Sequence, residues 1–221
     1  MRKLIVIFSL LFSFASYGQD RGEFWFAAGV KTQVAKKFMA GANTNVRINY
    51  YGSLQTLYQE LSLKSEHLEW FRPSIEYRLI TSYDKRGNYS NSNRVNINLD
   101  FRHKIENLKF GARFRLQTNI GSSSGGGGDL DPALRFKPYL AYDKKEWMIT
   151  PEISTEFFYT TTNSATGDRF NRMRIGLTGN VDLPGPHELG ITYYYGRKFN
   201  TGNPYQEHLL SLEYTFEWKK K

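Results

Sequence analysis

Four histidines, His67, His103, His187 and His208, are the side chains best suited to acid–base or metal chemistry near neutral pH. No two of them have the spacing of a zinc motif. Ser211 follows His208 by three residues, and a lipid-facing His and Ser is a pairing that a lipid hydrolase or deacylase would use. In an extended chain, residues an odd number apart point to opposite faces, so His208 and Ser211 would not meet. His208 and His103 read as interfacial residues. The glycine run Gly125–Gly128 lacks the Lys and Ser/Thr of a phosphate loop and reads as a flexible connection. No catalytic residue, cofactor or metal is expected.

What does recur is charge at alternate positions. Arg47, Arg72, Arg78, Arg94, Arg102, Arg113, Arg115, Arg135, Arg172, Arg174 and Arg197 form a basic set, and Glu76, Asp100, Glu152, Glu156, Glu188, Glu213 and Glu217 an acidic one. Enclosed together, the two signs can neutralise each other in place of a hydrophobic core. Alternatively, the excess of arginine lines a path that favours anions, with a small anionic solute as its ligand.

The elements that position this set follow from its period. In "RVNINLDFRHKIENLKFGARFRLQTN", Arg94 to Asn119, the apolar residues Val95, Ile97, Leu99 and Phe101 alternate with Arg94, Asn96, Asn98, Asp100 and Arg102. After Glu106-Asn107, Leu108, Phe110, Ala112, Phe114 and Leu116 alternate with Lys109, Arg113, Arg115 and Gln117. Period two means strand, and the restart means two antiparallel strands with one apolar and one charged face. Such a pair suits a soluble sandwich or a membrane barrel equally well. The same alternation continues from Phe38 to Asn49, from Phe71 to Leu79 and from Leu134 almost to the C-terminus.

Compartment comes from the N-terminus. Met1-Arg2-Lys3, the apolar run Leu4–Ala15 and small Ser16 and Gly18 have the layout of a secretory signal peptide over residues 1–18, leaving a mature domain over 19–221. An uncleaved anchor is the alternative, but the run is short for a span. There is no cysteine, which excludes a disulfide scaffold and a lipoprotein. No second long apolar run follows, so no transmembrane helix is expected. The formal net charge is +9. The basic residues alternate with apolar ones and do not form a stripe, so they read as lumenal, with no nucleic-acid partner.

Connections sort by parity. Those at Glu106, Asp143 and Asp182 are short, while those at Tyr83, Gly121, Thr160 and Phe199 are longer and rich in Gly, Ser and Asn. This is the outer-membrane arrangement, with the long loops outside. The last segment places Leu210, Leu212, Tyr214, Phe216 and Trp218 on one face and ends in an aromatic. That is similar to the terminal signal read by the barrel-assembly machinery, apart from the Lys219–Lys221 tail. Trp25, Tyr50, Tyr51, Tyr83, Tyr142, Trp147, Tyr159, Tyr205 and Trp218 lie near strand ends and suit the girdles of a lipid-exposed barrel. About eleven alternating segments can be counted. An even number is the bacterial rule, so about twelve strands are expected, with ten as the alternative. The ambiguous stretches are "EFWFAAGVKTQVAKK", one strand or two, and the poorly periodic Leu54–Leu57 section, a loop or helical turn before a strand at Glu60.

The segments "FWFAAGVKTQVAKKFMAGANTNVR", "YQELSLK" and "RPSIEYRLI", with their first-strand Trp and the Tyr77-Arg78 pair, resemble an uncharacterised outer-membrane barrel family, domain of unknown function 2490. The resemblance implies fold and location, and no activity. The expectation is therefore an all-β, transmembrane, antiparallel up-and-down barrel in the outer membrane. It would be non-enzymatic, structural or a narrow porin-like pore, with membrane lipid and the assembly machinery as partners. A lipid-modifying outer-membrane enzyme and a soluble periplasmic sandwich are the alternatives.

Overall fold

The structure, a computed structural model, describes residues 20–84, 86–122, 133–161, 169–200 and 204–218. The leader expected over residues 1–18 and the lysine tail lie outside the described residues. Eleven strands follow one another: β1 (Asp20–Ala35), β2 (Phe38–Asn49), β3 (Leu54–Ser65), β4 (Phe71–Tyr83), β5 (Tyr89–Ile105), β6 (Leu108–Ser122), β7 (Ala133–Tyr142), β8 (Ile149–Thr160), β9 (Arg169–Asp182), β10 (His187–Lys198) and β11 (Tyr205–Trp218). Each pairs antiparallel with the next, and β1 closes onto β11 to complete a barrel. One closed sheet forms, not the two facing sheets of a sandwich.

The count falls between the ten and twelve expected, for a geometric reason. An even number is required only if the first and last strands run in opposite directions. Here β1 and β11 run the same way and pair in parallel from Asp20↔Gln206 to Thr32↔Trp218. An odd number then closes without an unpaired edge. The first ambiguous stretch is the single strand β1. The second is strand from Leu54 onward, and a bulge explains its poor period. Ile48 pairs with Leu54 while the adjacent Arg47 pairs with Thr56, so Gln55 is the extra residue. Leu54 and Leu57, three apart, thereby come to the same side of the sheet.

Two rims result. One holds the connections 36–37, 66–70, 106–107, 143–148 and 183–186, together with the end of β11; the other holds the connection 50–53, the facing ends of β4 and β5, β6 and β7, β8 and β9, and β10 and β11, together with the start of β1. We call them the turn rim and the loop rim. At the turn rim the two-residue connections are tight enough that Lys37 and Glu106 adopt left-handed φ values of 67° and 53°. Lys104 and Lys109, brought together by the Glu106-Asn107 turn, both reach Asp143 of the next turn, at 2.7 and 3.4 Å. The Lys104 hydrogen bond, reinforced by Lys109, holds the Asp143 carboxyl below the usual range.

The faces divide as period two requires. Leu61, Ile75, Leu79, Ile97, Phe114, Leu177 and Leu210 are all exposed on the outer wall. Inside, the fully or nearly buried side chains are mostly polar, including Asn96, Asn98, Gln117, Arg78, Arg174 and Glu207. Two of the residues assigned to aromatic girdles are corrected by the fold. Trp25 points inward, where the Arg47 guanidinium lies 4.0 Å over its ring. Tyr205 also points inward and accepts a hydrogen bond from Arg172 at 2.8 Å. Both lie on the lumen parity of β1 and β11. Their aromatic type suits a girdle, but the pleat directs them the other way.

Candidate functional site

The lumen is the site that the strands enclose. Its centre is a network on two sides. On β3–β6, Arg78 bridges Glu60 and Glu76, and Arg115 contacts Glu76 at 3.0 Å. Glu76 also accepts from the amides of Asn96 at 2.9 Å and Asn98 at 2.7 Å, so every neighbour of this carboxylate donates to it. On β7–β11, Arg174 lies between Glu156 at 3.6 Å and Glu207 at 3.0 Å. Arg172 shares Glu207 at 3.2 Å, and Arg135 reaches Glu156 at 3.5 Å and Gln117 at 2.6 Å. Aromatic faces fill the gaps. Arg174 lies over Trp25, Phe158 and Tyr194 at 5.0 to 5.3 Å, and Arg47 over Trp25 and Tyr58. Relative exposures of 0 % for Asn96, 3 % for Glu207, 6 % for Arg174 and 9 % for Arg78 show how deeply this network is buried.

Toward the turn rim the charges are differently arranged. Lys31 pairs with Glu188 and Glu217, Lys137 with Glu152, and Arg72 with Glu66. Arg113 approaches Asp100 only to 3.8 Å, and its side chain is 37 % exposed although barrel wall surrounds it. Exposed Glu213 faces the same space from β11. This half of the lumen is therefore roomier than the centre. Arg102 lies at the rim, where its Nε donates to the Glu69 carbonyl at 2.8 Å.

Toward the loop rim the balance shifts. Arg94 has Asn119 as its hydrogen-bond partner, at 2.8 Å, and Arg47 has the Tyr58 hydroxyl, at 3.4 Å. Among the described residues neither touches a carboxylate. Arg78, Arg115, Arg135, Arg172 and Arg174 divide Glu60, Glu76, Glu156 and Glu207 among them, so with Arg47 and Arg94 the cations outnumber the anions by three.

The family described as "Protein of unknown function (DUF2490)" matches residues 22–207. The chain belongs to that family. No curated protein matches it. The matched residues run from the start of β1 into β11, so the DUF2490 region and the barrel nearly coincide.

Within this DUF2490 barrel, the structure directs Arg47, Arg72, Glu76, Arg78, Arg94, Asp100, Arg102, Arg113, Arg115, Arg135, Glu152, Glu156, Arg172, Arg174, Glu188 and Glu213 to the inner side, spread from rim to rim. Arg197 is a correction. It shares the parity of Ile191, Tyr193 and Tyr195, and it is exposed on the outer wall beside the loop rim. Sequence reasoning missed Glu60, Glu207, Tyr58 and the inward role of Trp25. Glu60 and Tyr58 were hidden by the bulge. Glu207 could have been found by extending the alternation of β11 back to Tyr205. His208 bonds the Tyr193 hydroxyl at 2.7 Å on the outer face, while Ser211 lies inside. A groove of about 420 Å³ also lies on the outer wall, between apolar residues such as Leu99, Phe114, Phe136 and Phe157.

Proposed function

We propose that the protein is a non-enzymatic outer-membrane β-barrel whose lumen is closed at mid-height by its own arginine–glutamate network. The carrying observation is the separation of faces, an apolar outer belt around a buried and mostly polar interior. In water, an exposed belt of Leu, Ile and Phe would be an aggregation surface; in lipid it is the matching solvent. The same separation argues against the inverse arrangement, because an arginine at the lipid midplane costs about 2–4 kcal/mol. Leu210, Leu212, Tyr214, Phe216 and Trp218 face outward along the last strand, as a terminal signal for assembly machinery requires. The His208–Tyr193 contact, on the face away from Ser211, supports a packing role over a hydrolytic one.

A second reading, a narrow anion-favouring pore, draws on the surplus of arginine toward the loop rim. Membrane fractionation and planar-bilayer recording test both. Recovery in the outer-membrane fraction with no stable current supports the closed barrel. A steady anion-selective conductance would replace it with the pore, and recovery as a soluble periplasmic protein would remove both.

A further inference from the structure

We propose that the loop-rim half of the lumen binds a compact, soluble, polyvalent oxyanion of the phosphate class between Arg47, Arg94 and Arg135. This deepens the lumen reading above and rests on it only in placing these arginines in one enclosed compartment; it requires neither conduction nor a particular membrane.

Four features converge. First, Arg47 and Arg94 contact no carboxylate among the described residues, and Arg135 shares Glu156 with Arg174. Enclosed charge without a counter-charge is costly, so a surplus of three cations calls for an anion.

Second, the register opposes like charges. Arg78 stands directly across from Arg94, and Arg115 directly across from Arg135. Like charges in such positions destabilise a sheet unless something negative lies between them. Third, the Nε atoms of Arg47, Arg72, Arg135 and Arg174 are all buried without an acceptor among the described residues, and what distinguishes the loop-rim half is that Arg47 and Arg94 also lack a carboxylate there. A guanidinium presents its donors as a planar fork that fits the oxygens of a phosphate, so arginines without a carboxylate partner suit an oxyanion better than a halide.

Fourth, the surplus is polarised. In the turn-rim half, Lys31, Arg72, Lys104, Lys137 and Arg113 all face acids. At the loop-rim entrance, Arg21 and Lys198 lie over Tyr205 at 3.9 and 5.6 Å, with Arg172 bonded to the same ring's hydroxyl. Glu23, two residues along β1 from Arg21, accepts a hydrogen bond from the Trp25 indole at 2.7 Å. The entrance therefore draws anions inward. The closed wall, with β1 paired along β11, leaves the rim as the route, which suits a soluble anion and not the headgroup of a lipid.

The test uses the full barrel refolded in detergent, with inorganic pyrophosphate as probe. Thermal unfolding is followed while pyrophosphate replaces chloride at constant ionic strength. The expected result is a saturable rise in the unfolding midpoint. Arg94→Gln should keep or raise the midpoint in chloride, because it removes the repulsion with Arg78, and should weaken the pyrophosphate effect by roughly tenfold to a hundredfold, the loss of a charged hydrogen bond. Arg47→Gln should weaken it similarly, and Arg72→Gln at the turn rim should leave it unchanged. No pyrophosphate-specific rise in the wild-type barrel overturns the proposal. So does an Arg94→Gln barrel that is less stable in chloride yet keeps the full rise, since that makes the arginine purely structural. If neither lumen variant folds, broadening of the pyrophosphate ³¹P signal by the wild-type barrel decides, with an unchanged signal counting against the site. The assay reads neither location nor current, so its failure leaves the closed-barrel reading standing.

Discussion

Glu76 shows how a single side chain holds this interior together. It accepts from two arginines and two asparagines, on β4, β5 and β6. Removing it strands Arg78 and Arg115 beside other arginines in an enclosed space. Breaking one partner of a buried ionic group costs about 3–5 kcal/mol, because the remaining charge is uncompensated. Glu76→Ala should lower the unfolding free energy in urea by that order. Arg197→Gln, on the outer wall, should change it by less than about 0.5 kcal/mol. Equal effects would show that the inner network does not stabilise the barrel. Asp143 makes a pH-dependent contribution at the turn rim. Its carboxyl is held low by Lys104 and Lys109, so its contribution is present above the unfolded carboxyl value and is lost as pH falls through the lower folded value. Wild type should therefore exceed Asp143→Asn in stability at neutral pH, and the difference should vanish in acid; a pH-independent difference would rule the ion pairs out as its source.

At the scale of the element, the hairpin β5–β6 places Leu99 opposite Phe114 on the outer face and Asn98 opposite Arg115 on the inner face. A one-residue slip would exchange the faces and put the arginines in lipid. Single cysteines are clean reporters because the chain has none of its own. Cysteines at 95, 97, 99 and 101 should resist a water-soluble thiol reagent and be quenched by lipid-borne probes, while one at 98 should not be lipid-quenched. Labelling without alternation would break the link between outer face and lipid. By the same reasoning Leu99→Arg should cost about 2–4 kcal/mol if that face lies at the midplane. Arg102→Leu should be milder, since that side chain caps a rim carbonyl and takes no part in the central network.

The whole molecule depends on one unusual pairing. Ten pairs of sequence neighbours are antiparallel, but β1 and β11 meet in parallel after the chain has passed once around the barrel. This seam is the contact with the greatest sequence separation, and loop-closure entropy makes such contacts costly to form before the rest exists. Once closed, it removes both edges of the sheet and encloses the charge network. Amide protons of Phe24 to Val30 that face β11 should exchange as slowly as those between β5 and β6. Fast exchange confined to β1 and β11 would mean an open seam, and with it an interior accessible from the side.

Period two was written in the residues themselves. The alternation of apolar and charged types was enough to assign strands and an all-β architecture, and to send Arg78, Arg115, Arg174 and Glu76 to one side of the wall. Local pattern works there because the pleat alternates side chains without reference to any distant residue. The remaining features are long-range. The odd strand count depends on the direction in which β1 meets β11, and no window of sequence contains both. The bulge at Gln55 depends on the register of β2 against β3, which hid Tyr58 and Glu60. Arg47 and Arg94 sit on the inner parity like every other lumen arginine. Their lack of a carboxylate partner was decided only when shear and closure brought particular side chains across the barrel, because pairing is a matter of distance in three dimensions and parity fixes only the face.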